Sequence, residues 1–202
     1  MLTGMDRRAL AATAAAYVVL HHLGLVPEGF GPGPDGTRWA DWVDLALPWI
    51  VVGLAGWALW SSRPTPSVLA LFLAGTLAYT SGHGIHLAGN SIGNAAPSPT
   101  AHLWDEPVGH NLWFLGVALI TASLVAGMAA LPRGGVGTHL LAAGVGTTWA
   151  SNAIGGEAVA LGVAGAALAA YAGWRHRRDL AGVLLTSGAV ALVWLGLAVF
   201  AG

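Results

Sequence analysis

Two stretches hold the side chains best suited to chemistry: TSGHGIHLAGN, residues 80–90, and HLWDEPVGHNLWFLG, residues 102–116. They place His83, His86, His102 and His110 close in sequence to Asp105 and Glu106. Imidazoles with carboxylates and no thiolate are the ligand set of zinc, iron, manganese or copper(II). A catalytic zinc takes three protein ligands and keeps a position open. His83, His86 and His110 supply three, with Glu106 as a fourth ligand or as a general base.

Spacing groups the candidates further. Tyr79, His83, His86 and Asn90 stand at i, i+4, i+7 and i+11, one face of a helix. Glu106 and His110 are four apart, as helical ligand pairs are. Thr13, Tyr17 and His21 form a stripe in the first apolar run, which favours His21 over His22 as the inward-facing ring. His21, His22 and His102 complete the candidate ligand set. Asp44, Asp105 and Glu106 are the candidate catalytic acids, and Tyr79, Asn90 and Asn152 are candidates to orient a ligand from behind. Asp105 also suits the first turn of a helix, where the dipole favours an acid. His139 and His176 read as residues of the opposite surface.

The elements that position these groups are set by an extreme composition. Of 202 residues, 55% are hydrophobic and 8% charged, against roughly 25% charged in a soluble domain. Mean hydropathy is +0.67, which points to an integral membrane protein. There is no cysteine and no lysine, so thiol catalysis, disulfides and lysine Schiff bases are excluded. A net charge of −1 leaves no basic footprint for nucleic acid.

A span needs about 20 mainly apolar residues, and seven candidate runs occur, at 9–26, 42–60, 67–88, 105–131, 138–154, 157–173 and 180–201. We expect an all-α polytopic bundle, one transmembrane domain over residues 1–202, with the first run kept as a helix rather than removed as a signal. The fifth and sixth runs are short and joined by GGE. With the N-terminus in the cytoplasm, Arg7, Arg8, Arg63, Arg133, Arg175, Arg177 and Arg178 fall inside and only Arg38 outside. That is the positive-inside pattern of a multi-pass cell-membrane protein. The candidate site then faces the extracytoplasmic side. Trp39, Trp42, Trp104 and Trp113 are expected in the outer aromatic belt, and Trp60 and Trp174 in the inner one. Gly82, Gly84 and Gly89 are expected to let a neighbouring helix approach the histidine face.

A divalent metal held at interface depth meets the ester or amide linkage of a lipid. The expected activity is therefore a zinc-dependent hydrolase or transferase acting on a lipid or another amphiphile. Iron, with oxidative chemistry on an apolar chain, is the alternative. The ingredients resemble those of the His-rich membrane desaturases and hydroxylases, whose boxes lie on cytoplasmic helix extensions. The span count and three-histidine set are similar in architecture to the seven-span zinc hydrolases of the alkaline ceramidase and progestin–adipoQ receptor group, although this chain's last run carries no histidine. HLAGN, residues 86–90, resembles the last HxxxN of intramembrane CAAX-type proteases, without their paired glutamates. A haem-binding electron-transfer protein and a metal or ion transporter are the remaining readings.

Overall fold

The computed structural model describes residues 5–22 and 27–201. The end of the first predicted run, 23–26, lies outside the described residues. The described chain is helical throughout its ordered elements: α1 Arg7–Leu20, α2 Trp39–Ser61, α3 Pro66–Ala95, α4 Pro99–Leu103, a π-helix Trp104–His110 that runs on into α5 Asn111–Ala129, α6 Val136–Gly155, α7 Val159–Arg175 and α8 Val183–Ala201.

Local chemistry sets the starts. The Asp6 carboxylate accepts from the Arg8 and Ala9 amides at 2.8 and 3.3 Å and so opens α1. Thr65 and Ser98 cap α3 and α4, each followed by proline at the first helical position. α1 ends earlier than the apolar run suggests. The rings of His21 and His22 turn back onto the carbonyls of Tyr17 and Val18, at 2.9 and 2.6 Å, and serve orphan acceptors at the helix end.

Two helices start or stop away from the expected positions. α3 continues to Ala95 rather than 88, and the helix expected from 105 already begins at Pro99. Both extensions are rich in polar or small residues that hydropathy does not mark, and in the second the Ser98 cap and Pro99 favour helix. His102, which precedes the run expected from 105, accordingly lies on α4.

The helices alternate between two ends. At one end the Asp6 amide bonds Ser61 Oγ at 2.7 Å, Arg7 reaches the Pro132 carbonyl, and Leu180 N bonds Leu131 O at 3.0 Å. The turns that carry Arg7, Arg8, Arg63, Arg133, Arg175, Arg177 and Arg178 therefore lie together. The opposite end gathers His21, His83, His86, His102 and His110, while His139 and His176 stay at the arginine end. Among the described residues, four helical stretches are long and apolar enough to cross a membrane: Trp39–Ser61, Pro66–Ala95, Pro99–Ala129 and Leu180–Phe200. α7 is apolar but shorter. α6 is long enough, but His139, Thr147, Thr148, Ser151 and Asn152 dilute its hydropathy. Large apolar side chains such as Trp57, Leu77, Leu140 and Phe200 stand outward, as a lipid-facing surface requires.

The seam that matters most joins α3 to the π-helix and α5. Gly75, Gly82 and Gly89 recur every seventh residue on α3, facing Gly109 and Gly116. A Cβ at Gly82 would strike the Trp113 backbone, and one at Gly116 would strike that of Tyr79. The two backbones are thus in direct contact, as small residues allow in lipid. Gly84, expected in the same role, faces open space; it lies two positions from Gly82, on another face of α3.

Candidate metal centre

The glycine seam sets the spacing of the ionisable groups. A Cβ at Gly89 would meet the Asp105 backbone, and one at Gly109 would meet that of His86. His86 Nδ1 therefore comes to 2.6 Å from Asp105 Oδ1. The ring of His110 lies 4.3 Å from that of His86, centroid to centroid. Among the described residues, His86, Asp105 and His110 form the one group whose ligand atoms all lie within 4.8 Å of one another. Two imidazoles and a carboxylate at that separation are able to close on one cation.

The π-helix delivers two of the three. Pro107 has no N–H, so the turn around it cannot complete an α ladder, and the wider π turn follows at a place where such turns are often functional. It brings Asp105 and His110, five apart, onto one side. His110 Nδ1 is 3.2 Å from the Asp105 carbonyl and 2.9 Å from Glu106 Oε2. The Glu106 oxygen is off line for a hydrogen bond and has no other partner, although it is buried. The expectation of a Glu106–His110 pair at i+4 thus holds in distance. The residue that touches both histidines, however, is Asp105, through its carboxylate to His86 and its backbone carbonyl to His110.

A proline also shapes the next group. Pro48 inside α2 cannot donate to the carbonyl four residues earlier, which is Asp44. His83 Nε2 donates to that Asp44 carbonyl at 3.1 Å and approaches the Asp44 carboxylate at 3.3 Å. His83 is 1% exposed, and its Nδ1 is buried without a partner. An imidazole held by a carboxylate on one nitrogen, with the other left bare, is the pattern of an oriented metal ligand. His83 is nevertheless outside the three-residue group; its ring centroid is 6.1 Å from that of His86.

His21, the first-helix histidine expected to face inward, does so. Its Nε2 is 3.2 Å from the Tyr79 hydroxyl and its ring is 6.0 Å from that of His83. His22 points its Nδ1 to its own helix. His102 lies with Glu157 at the rim, 3.7 Å apart and both exposed. Asn90 bonds Asn94 at 3.0 Å rather than a histidine, because its turn of α3 projects beyond the cluster. The Asn152 amide nitrogen is buried and unpartnered, beside Tyr17. His139 and His176 bond Thr186 and Asp179, at 2.7 and 3.3 Å, away from the cluster.

The residue that the sequence reading placed elsewhere is Trp113. Trp39, Trp42 and Trp104 are about half exposed, as belt residues are, but Trp113 is 5% exposed. Its ring centroid lies 5.0, 4.9, 5.6 and 5.2 Å from those of His21, His83, His86 and His110. It is the apolar hub around which four imidazoles stand. The signal was present in the spacing: Trp113 follows His110 by three residues and so shares its face. The turn after α6 closes the other side, since a Cβ at Gly156 would overlap the His110 ring.

No protein-family model, curated protein or solved structure matches this chain. The functional reading therefore rests on the geometry alone.

Proposed function

We propose that the protein is a multi-pass membrane metalloenzyme. It would bind a divalent metal, zinc in the first instance, through His86, Asp105 and His110. It would hydrolyse or transfer the ester or amide group of a lipid or similar amphiphile. The observation that carries the reading is the convergence of a buried imidazole, His110, with the half-buried His86 and Asp105, ligand atoms within 4.8 Å, in a chain with few ionisable groups to spare. Such groups cost about 2.5–3.5 kcal/mol each inside a span, so a buried cluster of them is a functional feature by default.

When bound, the metal supplies a polarised carbonyl and a water that ionises near neutral pH. The chain's own residues do the rest. Asp105 and His110 are aimed by the π turn, and His86 by the glycine seam. Glu106, whose buried oxygen makes no hydrogen bond, would take a proton from water and return it to the leaving group. Asp44 fixes the tautomer of His83 with Nδ1 free. The seven arginines at the far end argue for that end as cytoplasmic. The chain would then cross the membrane seven times with the histidine end outside.

A second reading shares the same donors. Two histidines and one carboxylate are also the set of non-haem iron oxygenases, so iron and oxidation of the apolar chain remain the competing chemistry.

Elemental analysis of detergent-purified protein, with its optical spectrum, decides between them. A stoichiometric amount of colourless zinc is expected, lost in His86→Ala and Asp105→Ala and kept in His176→Ala. Glu106→Gln should keep the metal and lose hydrolysis of an ester amphiphile. Stoichiometric iron would move the assignment to the second reading. Full metal occupancy in both the His86 and Asp105 variants would overturn the site.

A further inference from the structure

A cavity of about 520 Å³ lies between α1, α5, α6, α7 and α8, separate from the metal-binding residues. Its head is formed by Tyr17, Tyr79 and Trp149, and it reaches down the bundle to Arg7, Met128 and Leu180. Alanines such as Ala14, Ala118, Ala142 and Ala169 create the space. Two of the hydroxyls along it are bonded within their own chain segment: Thr13 to the Ala9 carbonyl at 2.8 Å, and Thr138 to that of Gly135 at 2.5 Å. The walls thus present apolar surface, in the size range of about 300–1,000 Å³ that ligand sites occupy.

The head of this cavity adjoins the histidine cluster through Tyr79. Tyr79 lines the cavity and bonds His21, and its ring lies 6.1 Å from that of His83. Its length is telling. Tyr17 and Arg7 are ten residues apart on α1, or about 15 Å at the helical rise. Half of a ~30 Å hydrocarbon core is the same distance, the reach of one acyl chain.

We infer that the cavity binds one acyl chain of the amphiphile whose ester or amide linkage lies at the histidine end. The inference rests on the proposed lipid chemistry and deepens it. The tyrosine head marks where the polar linkage begins, and the depth toward Arg7 measures the chain. The substrate class is therefore a long-chain acyl amphiphile, selected by chain length.

The test uses the full chain in detergent with spin-labelled stearic acid as probe, read by the immobilised component of its spectrum. Metal content is measured on the same samples. Wild type should immobilise the probe. Ala118→Phe and Ala169→Phe, on opposite walls, should each weaken binding by about tenfold with metal retained. Ala172→Phe, near the Arg7 end, should instead shift preference in a series of fatty acids toward shorter chains. His86→Ala should lose metal and still bind the probe, which separates failure of the metal assignment from failure of this one. Unchanged binding and unchanged length preference in all three phenylalanine variants would overturn the inference. So would a change of oligomeric state in these variants without a change in probe binding, because the occupant would then be a second copy of the chain.

Discussion

The α3–α5 seam and the α6–α7–α8 seam are built by the same device and serve different ends. In both, glycine brings backbones into contact. A Cβ at Gly146 would strike Ser187, one at Gly173 would strike Leu185, and one at Gly188 would strike Ala166, just as Gly82 and Gly116 meet Trp113 and Tyr79. The second seam is dry. Thr148 is fully buried there and bonds the Gly144 carbonyl of its own helix at 3.0 Å, while Ala150, Ala153, Ala166 and Ala191 fill the contact. The first seam carries His83, His86, His110, Asp105 and Glu106 along its edge, with His21 of α1 and Asp44 of α2 beside them. Close backbone approach is thus neutral as to function. What it does is fix distances, and only where ionisable groups flank the glycines does it make a site.

Three substitutions probe that contrast, from the largest expected effect downward. Gly82→Leu forces a side chain into the Trp113 backbone, where nothing can yield. It should cost more than about 4 kcal/mol and abolish both folded protein and metal binding in a thermal melt with elemental analysis; a folded, metal-loaded variant would break the account of the seam. Trp113→Ala removes the hub between the imidazoles. A loss of about 3–5 kcal/mol is expected, with metal affinity weakened more than by an equal destabilisation in the C-terminal seam. Equal weakening would show that Trp113 is ordinary packing. Gly196→Ala lies in α8, where a Cβ meets nothing within 4 Å. It should stabilise by about 0.5–1 kcal/mol through helix propensity and leave metal content unchanged. A destabilisation there would reveal an unrecognised partner against α8.

Much of the arrangement could be read from residue order. The helical face of Tyr79, His83 and His86, the inward turn of His21, and the segregation of arginine from histidine all follow from the 3.6-residue period and from the charge pattern. Less legible was anything that depended on a proline inside a helix. Pro107 replaces an α turn with a π turn, which gives Asp105 rather than Glu106 the place between the two histidines. Pro48 frees the Asp44 carbonyl that receives His83. Trp113 was assigned to the belt because tryptophan near a span end usually belongs there; its neighbours across the seam decided otherwise.

The sequence by itself determined a helical, apolar chain with most of its imidazoles and carboxylates at one end, because hydropathy and spacing act within a single helix. The tertiary structure decided which of those groups meet. That choice depends on the register between helices, and register is set by which glycines face each other. A shift of one residue along α3 would leave every periodicity intact and carry His86 away from Asp105.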